Sequence, residues 1–126
     1  MYKEELFKLA ASIDLPKEEF CIISGGALVA HGLREQTNDL DIDFTQKGLE
    51  ILKKNFNIEL INEEKKQYKV TDEIECFLVE KLESDIVYID NYPCESLISV
   101  YKLKKRMNRE KDRADILAIE KYLNIK

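Results

Sequence analysis

Phe20-Cys21-Ile22-Ile23-Ser24-Gly25-Gly26-Ala27-Leu28-Val29-Ala30-His31-Gly32, followed by Asp39-Leu40-Asp41-Ile42-Asp43-Phe44, is the stretch that decides the fold. An apolar run ends in two glycines, and a short helical pattern closes on Gly32. A second apolar run then carries carboxylates at alternate positions, Asp39, Asp41 and Asp43. Alternate residues of a strand share a face, so Asp39 and Asp41 project side by side, roughly 7 Å apart. Like charges that close repel unless something positive sits between them. Mg²⁺ is commonly held by one or two carboxylates together with substrate phosphates. The glycines allow a turn whose bare N–H groups open a helix, a favourable place for phosphate. Carboxylates on one strand and a phosphate cradle on the turn before it point to nucleotide chemistry.

The segment Ile23 to Asp41, with Gly25-Gly26, a spacer and Asp39-x-Asp41, resembles the signature of the nucleotidyltransferase superfamily, the group with a DNA polymerase β-like core. The finer pattern, Gly25-Gly26-Ala27-Leu28, His31-Gly32 and Arg34-x-x-Thr37-x-Asp39-x-Asp41, is similar to the branch that includes abortive-infection-type toxins. The C-terminal part extends the resemblance. Ser96-Leu97 to Lys104, then Arg109-x-x-Asp112-x-x-Asp115-Ile116, looks like the segment that closes this branch. The resemblance implies a third carboxylate on a neighbouring strand, and Glu75 in Ile74-Glu75-Cys76-Phe77-Leu78 matches best, with Glu73 and Glu80 as weaker substitutes. Glu stands there in place of the more frequent Asp. It further implies that Lys104 contacts nucleotide phosphate, that Asp112 lies beside it and that Asp115 is structural.

The activity implied by the resemblance is transfer of an NMP from an NTP to a hydroxyl acceptor. Mg²⁺ or Mn²⁺ would be held by Asp39, Asp41 and Glu75. Ser24, Gly25 and Gly26 would bind the β- and γ-phosphates. Arg34 faces nucleotide phosphate or pairs with Asp43, and Thr37 ties down the turn. Lys104 would neutralise charge in the transition state. His31, at the end of the short helix, reads as structural, and Asp43 as a paired surface carboxylate.

The remaining sequence frames this site. The chain has 126 residues, one domain's worth, read as residues 1–126. It contains no signal-peptide pattern and no apolar run of membrane-spanning length, so the expected location is the cytoplasm, away from membranes. Three widely spaced cysteines form no Cys-x-x-Cys pair, and Cys21 and Cys76 read as buried thiols. The net charge of −5 argues against broad nucleic-acid binding, yet Lys102, Lys104, Lys105, Arg106, Arg109, Lys111 and Arg113 crowd one window. For Lys102, Lys105 and Arg106 the expectation is a solvated helix face.

Periodicity predicts helices over Tyr2–Ile13, Gly26–Gly32, Gln46–Asn55, Ser96–Met107 and Lys111–Leu123. Strands are expected over Phe20–Ile23, Leu40–Phe44, Ile58–Ile61, Gln67–Val70, Ile74–Val79 and Ile86–Ile89, with a turn at Pro93. The fold class is α/β or α+β, a mixed sheet flanked by helices. The acceptor stays open between a small molecule and tRNA. A catalytically inactive nucleotide-binding or interaction module is the alternative, and a homodimer or an antitoxin-like partner is compatible with so small a core.

Overall fold

The computed structural model describes residues 1–82 and 85–125. Its elements are α1 (Lys3–Ser12), β1 (Phe20–Ile22), α2 (Ser24–Ala30), β2 (Leu40–Phe44), α3 (Gln46–Asn55), β3 (Glu59–Asn62), β4 (Gln67–Thr71), β5 (Ile74–Leu78), β6 (Ile86–Ile89), β7 (Tyr92–Glu95), α4 (Leu97–Met107) and α5 (Arg113–Leu123). The strands form one mixed sheet of order β3-β4-β5-β2-β1-β7-β6. The β2–β5 and β1–β7 pairs are parallel, and the remaining pairs are antiparallel. The expected mixed sheet with flanking helices is what the chain forms.

Strand β2 shows why. Leu40, Ile42 and Phe44 are fully buried, while Asp41 and Asp43 between them are half-buried. The apolar set enters one cluster with Leu6 and Ile13 from α1, Phe20 and Ile22 from β1, Leu52 from α3 and Ile74 from β5. Register supports this packing, with Phe20 opposite Phe44 and Ile22 opposite Ile42. The carboxylates are thereby left on the other face. A smaller cluster of Ala27, Leu28, Leu97, Val100 and Ile119 joins α2, α4 and α5.

Caps follow the sequence signals. Thr45 Oγ1 accepts from the Gly48 N–H at 3.2 Å, and Ser96 Oγ from the Ser99 N–H at 3.0 Å. Asn108 and Asn124 end α4 and α5 in the left-handed region, which asparagine tolerates. No helix among the described residues is long and apolar enough to cross a membrane.

Two expectations need correction. Pro93 is not a turn but lies inside β7, opposite Tyr88 of β6. The turn comes earlier, at Asp90 and Asn91, with φ of 49° and 71°. Two consecutive positive φ values in a two-residue loop match the right-handed twist of a hairpin, and Asp and Asn are the side chains that tolerate them. The glycine turn also differs. Helix α2 starts at Ser24, itself at φ 57°, so Gly25 and Gly26 form the first helical turn rather than a loop before it.

The hairpin can be tested directly. Asn91→Val should cost about 1–2 kcal/mol, because a β-branched residue is forced into the left-handed region, whereas Asn91→Gly should be neutral or slightly stabilising. Urea denaturation of the two variants checks both signs.

Candidate active site

Parallel pairing of β2 with β5 puts Asp41 in register with Glu75 and Asp43 in register with Phe77. Paired residues of adjacent strands point to the same face about 5 Å apart. Asp41 and Glu75 therefore stand abreast, as the implied third carboxylate requires. Asp39 sits just before β2 and is exposed. Burial, then the charges of Glu75 and Asp39, push the Asp41 carboxyl up from 3.8 to about 6. Glu75 is oriented by a residue the sequence analysis missed: the Gln67 amide on β4 donates to its Oε2. The signal for Gln67 was only its place on the next strand, opposite Phe77.

The donor set is all oxygen, the chemistry that hard divalent cations accept. Burial and the adjacent charges both disfavour ionised Asp41, and a bound cation would offset that cost. As the side chains stand, no three acidic, histidine or cysteine groups among the described residues converge closely enough to grip an ion. The trio fits a cation in its chemistry and leaves its coordination to be completed from outside. The cysteines play no part in it. All three are buried thiols, and burial pushes the Cys76 thiol up and the Cys94 thiol up to about 12.

The two glycines have different tasks. A Cβ on Gly25 would lie 2.8 Å from Arg34 Nη1 and 2.9 Å from Thr37 Oγ1, so both predicted phosphate-side residues fold over this position. Gly26 instead faces the core, where a Cβ would come within 3.1 Å of Ile22 Cγ2 and 3.4 Å of Leu6 Cδ1. The Ser24 N–H donates to Glu95 Oε1 at 3.1 Å. Glu95, at the end of β7, also went unnoticed in the sequence. It is buried, and its Oε2 accepts from Ser99 Oγ at 2.9 Å. Its carbonyl oxygen lies 2.9 Å from His31 Nε2, which gives the lone histidine a structural bond.

Lys104 and Asp112 come together, and they do so inside the protein. Lys104 is 8% exposed and Asp112 3%. Lys104 Nζ lies 2.8 Å from Asp112 Oδ1 and 3.4 Å from Asp115 Oδ2. Asp115 in turn lies 3.9 Å from Arg34 Nη1, and Asp112 accepts from Arg109 Nε at 2.6 Å. Charges thus alternate along Arg34, Asp115, Lys104, Asp112 and Arg109. Burial alone would push the Asp112 carboxyl up. The hydrogen bonds and charges of Lys104 and Arg109 override that and hold it below the ordinary carboxylate range.

A groove of about 410 Å³ is lined by Asp43, two residues along β2 from Asp41, and by none of Asp39, Asp41 and Glu75. Asp43 and Phe77 lie on one side, Ser24 and Glu95 line it as well, and Arg106 and Arg109 enter from the helical side. A larger hollow of about 550 Å³, lined by Phe7 and Tyr92, contains none of the predicted residues.

The chain is similar to the crystal structure of a putative nucleotidyltransferase from Thermotoga maritima, at 16% identity and a TM-score of 0.62 over 98% of this chain and 96% of that one. No protein-family profile and no curated protein sequence matches it. At that identity the likeness is one of architecture: the chain has a nucleotidyltransferase-like fold.

Two outcomes follow from the electrostatics. A raised carboxyl pKa means that the folded state holds its proton more tightly, so stability falls as pH rises from about 4 to about 6. Asp41→Asn should therefore stabilise the protein at about pH 8 by about 1–2 kcal/mol, after allowance for solvent screening, and the gain should vanish toward about pH 4. Lys104→Met leaves Asp115 only the distant Arg34 and Asp112 only Arg109, and should cost about 3 kcal/mol. Urea titrations at two pH values read the first, and one at neutral pH reads the second.

Proposed function

We propose that this protein is a metal-dependent nucleotidyltransferase, moving an NMP from an NTP to a hydroxyl acceptor. The observation that carries the reading is the register of Asp41 with Glu75 on parallel strands, with Asp39 coupled to them, beside a helix opened by Ser24-Gly25-Gly26. The nucleotidyltransferase-like fold is consistent with it.

Asp39, Asp41 and Glu75 would hold Mg²⁺ or Mn²⁺. The ion supplies charge neutralisation for the α-phosphate and the leaving pyrophosphate. The chain's own residues do the rest. An acceptor hydroxyl forms a bond to the α-phosphorus, the bond from that phosphorus to pyrophosphate breaks, and the hydroxyl proton passes to the Glu75 carboxylate. Gln67 fixes the orientation of that carboxylate. The first turn of α2, with Arg34 and Thr37 packed over Gly25, would border the triphosphate. Lys104, held by Asp112 and Asp115, would act as a positioning residue for the helical side of the site. The acceptor is a small molecule or tRNA, the setting is the cytoplasm, and an antitoxin-like partner would fit the abortive-infection likeness of the motif.

Calorimetric titration of the four NTPs, with and without Mg²⁺, tests the proposal against an Asp39→Ala/Asp41→Ala double variant. The expected result is metal-dependent binding of at least one NTP by the parent chain and at least tenfold weaker binding by the variant. Absence of NTP binding with metal present would overturn it and leave an interaction module on the same fold.

A further inference from the structure

The nucleotide site needs a cation for the triphosphate, and the lysine that the motif nominates for it is engaged elsewhere. Lys104 is buried and neutralised by two carboxylates at 2.8 and 3.4 Å. To reach a phosphate it would have to leave an internal ion pair, which is costly because the remaining charges are themselves buried.

Arg106 is differently placed. It lies on the same helix, is exposed, and makes no ion pair with any described residue. It lines the groove, and so does Arg109. Arg109 uses Nε to bind Asp112. A guanidinium carries five N–H donors, so the terminal nitrogens of Arg109 keep donors for a second partner. The opposite wall carries Asp43, one alternate position along β2 from Asp41, and Phe77, one alternate position along β5 from Glu75. Each therefore lies about 7 Å along its strand from a carboxylate of the site proposed above. At about 410 Å³ it falls in the range of small-molecule sites.

Its charge is mixed. Asp43 and Glu95 bring carboxylates to its lining, and Arg106 and Arg109 bring guanidinium groups. A bare polyanion meets repulsion from the carboxylates. A polyphosphate chelated to a divalent cation carries less net negative charge past Asp43, and its outer oxygens match the arginines. Guanidinium groups bind phosphate oxygens bidentately, which a lysine point charge does not.

We propose that Arg106 and Arg109, rather than Lys104, are the phosphate-binding cations, and that the triphosphate of a metal-chelated nucleotide lies in the groove between α4 and the Asp43–Phe77 row. This inference rests on the transferase reading for its nucleotide and on the groove alone for its residues.

The experiment measures affinity by calorimetry with two probes, Mg–tripolyphosphate and the Mg–NTP that binds best. The proteins are the full chain and its Arg106→Ala, Lys102→Ala and Lys104→Met variants, each at a temperature where circular dichroism shows it folded. The expected result is at least tenfold weaker binding of both probes by Arg106→Ala. Lys102→Ala, an exposed charge on the same helix outside the groove lining, should stay within twofold of the parent, and Lys104→Met should lose less affinity than Arg106→Ala. Binding unchanged in Arg106→Ala but lost in Lys104→Met would overturn the assignment while leaving the transferase reading intact. Tripolyphosphate binding that depends on Arg106, with no NTP binding at all, would uphold the groove and sink the transferase reading. Failure of the parent chain to bind either probe would overturn both.

Discussion

The register of β2 is the constraint on which the rest of the structure depends. Its apolar residues, Leu40, Ile42 and Phe44, are fully buried, and its charged residues alternate with them. A slip of one residue would drive Asp41 and Asp43 into the core and expose three large apolar side chains. The hydrophobic core thus places the carboxylates. Parallel pairing with β5 does the same for Glu75, whose neighbours Ile74 and Cys76 are both fully buried. Two like charges are held abreast because the apolar residues around them have nowhere else to go. Burial first, and then the neighbouring charges of Glu75 and Asp39, raise the Asp41 pKa. A site that concentrates negative charge in this way is destabilising on its own and becomes favourable when a cation is present.

The C-terminal helices resolve the opposite problem, how to bring positive charge near that site without collapse onto it. Three cations and two acids alternate from Arg34 through Asp115, Lys104 and Asp112 to Arg109. Lys104 and Asp112 are buried and Asp115 is half-buried, while the outer two, Arg34 and Arg109, remain more exposed, at 42% and 39% of their side chains. Buried ion pairs contribute little net stability beside an apolar alternative, but breaking one is expensive. Such a network is better at fixing geometry than at raising stability. Here it links Arg34, which lies over Gly25, with Arg109, which lines the groove.

Much of this arrangement was legible in the sequence, for identifiable reasons. The alternation in Leu40–Phe44 and the Thr45 and Ser96 caps are local signals, and local structure obeyed them. The proximity of Lys104 to Asp112 followed from a motif, yet its burial did not, because spacing alone does not tell an inward lysine from an outward one. Pro93 drew the turn prediction to itself and hid β7, although Asp90-Asn91 was the better hairpin signal. Gln67 and Glu95 were invisible because their importance lies across the sheet, Gln67 against Glu75 and Glu95 against Ser24, with 71 residues between the last two. Arg106 was read as part of a solvated face. Leu103, Arg106 and Met107 nevertheless share one side of α4 at helical spacing, and together they line the groove.

The short helix α2 is where these parts meet. Its first turn presents Gly25 to Arg34 and Thr37, while Gly26 presses against Ile22 and Leu6. Adjacent glycines therefore answer to opposite sides of the protein, one to the charged surface and one to the core. A side chain at Gly25 would push away polar groups at flexible tips, whereas one at Gly26 would push against the apolar layer beneath β2. The same two positions couple the carboxylate strand to the C-terminal charge network, since Leu28 and Ala27 on this helix pack with Val100 of α4 and Ile119 of α5. Charge placement on one face and packing on the other are consequently not separable features of this fold.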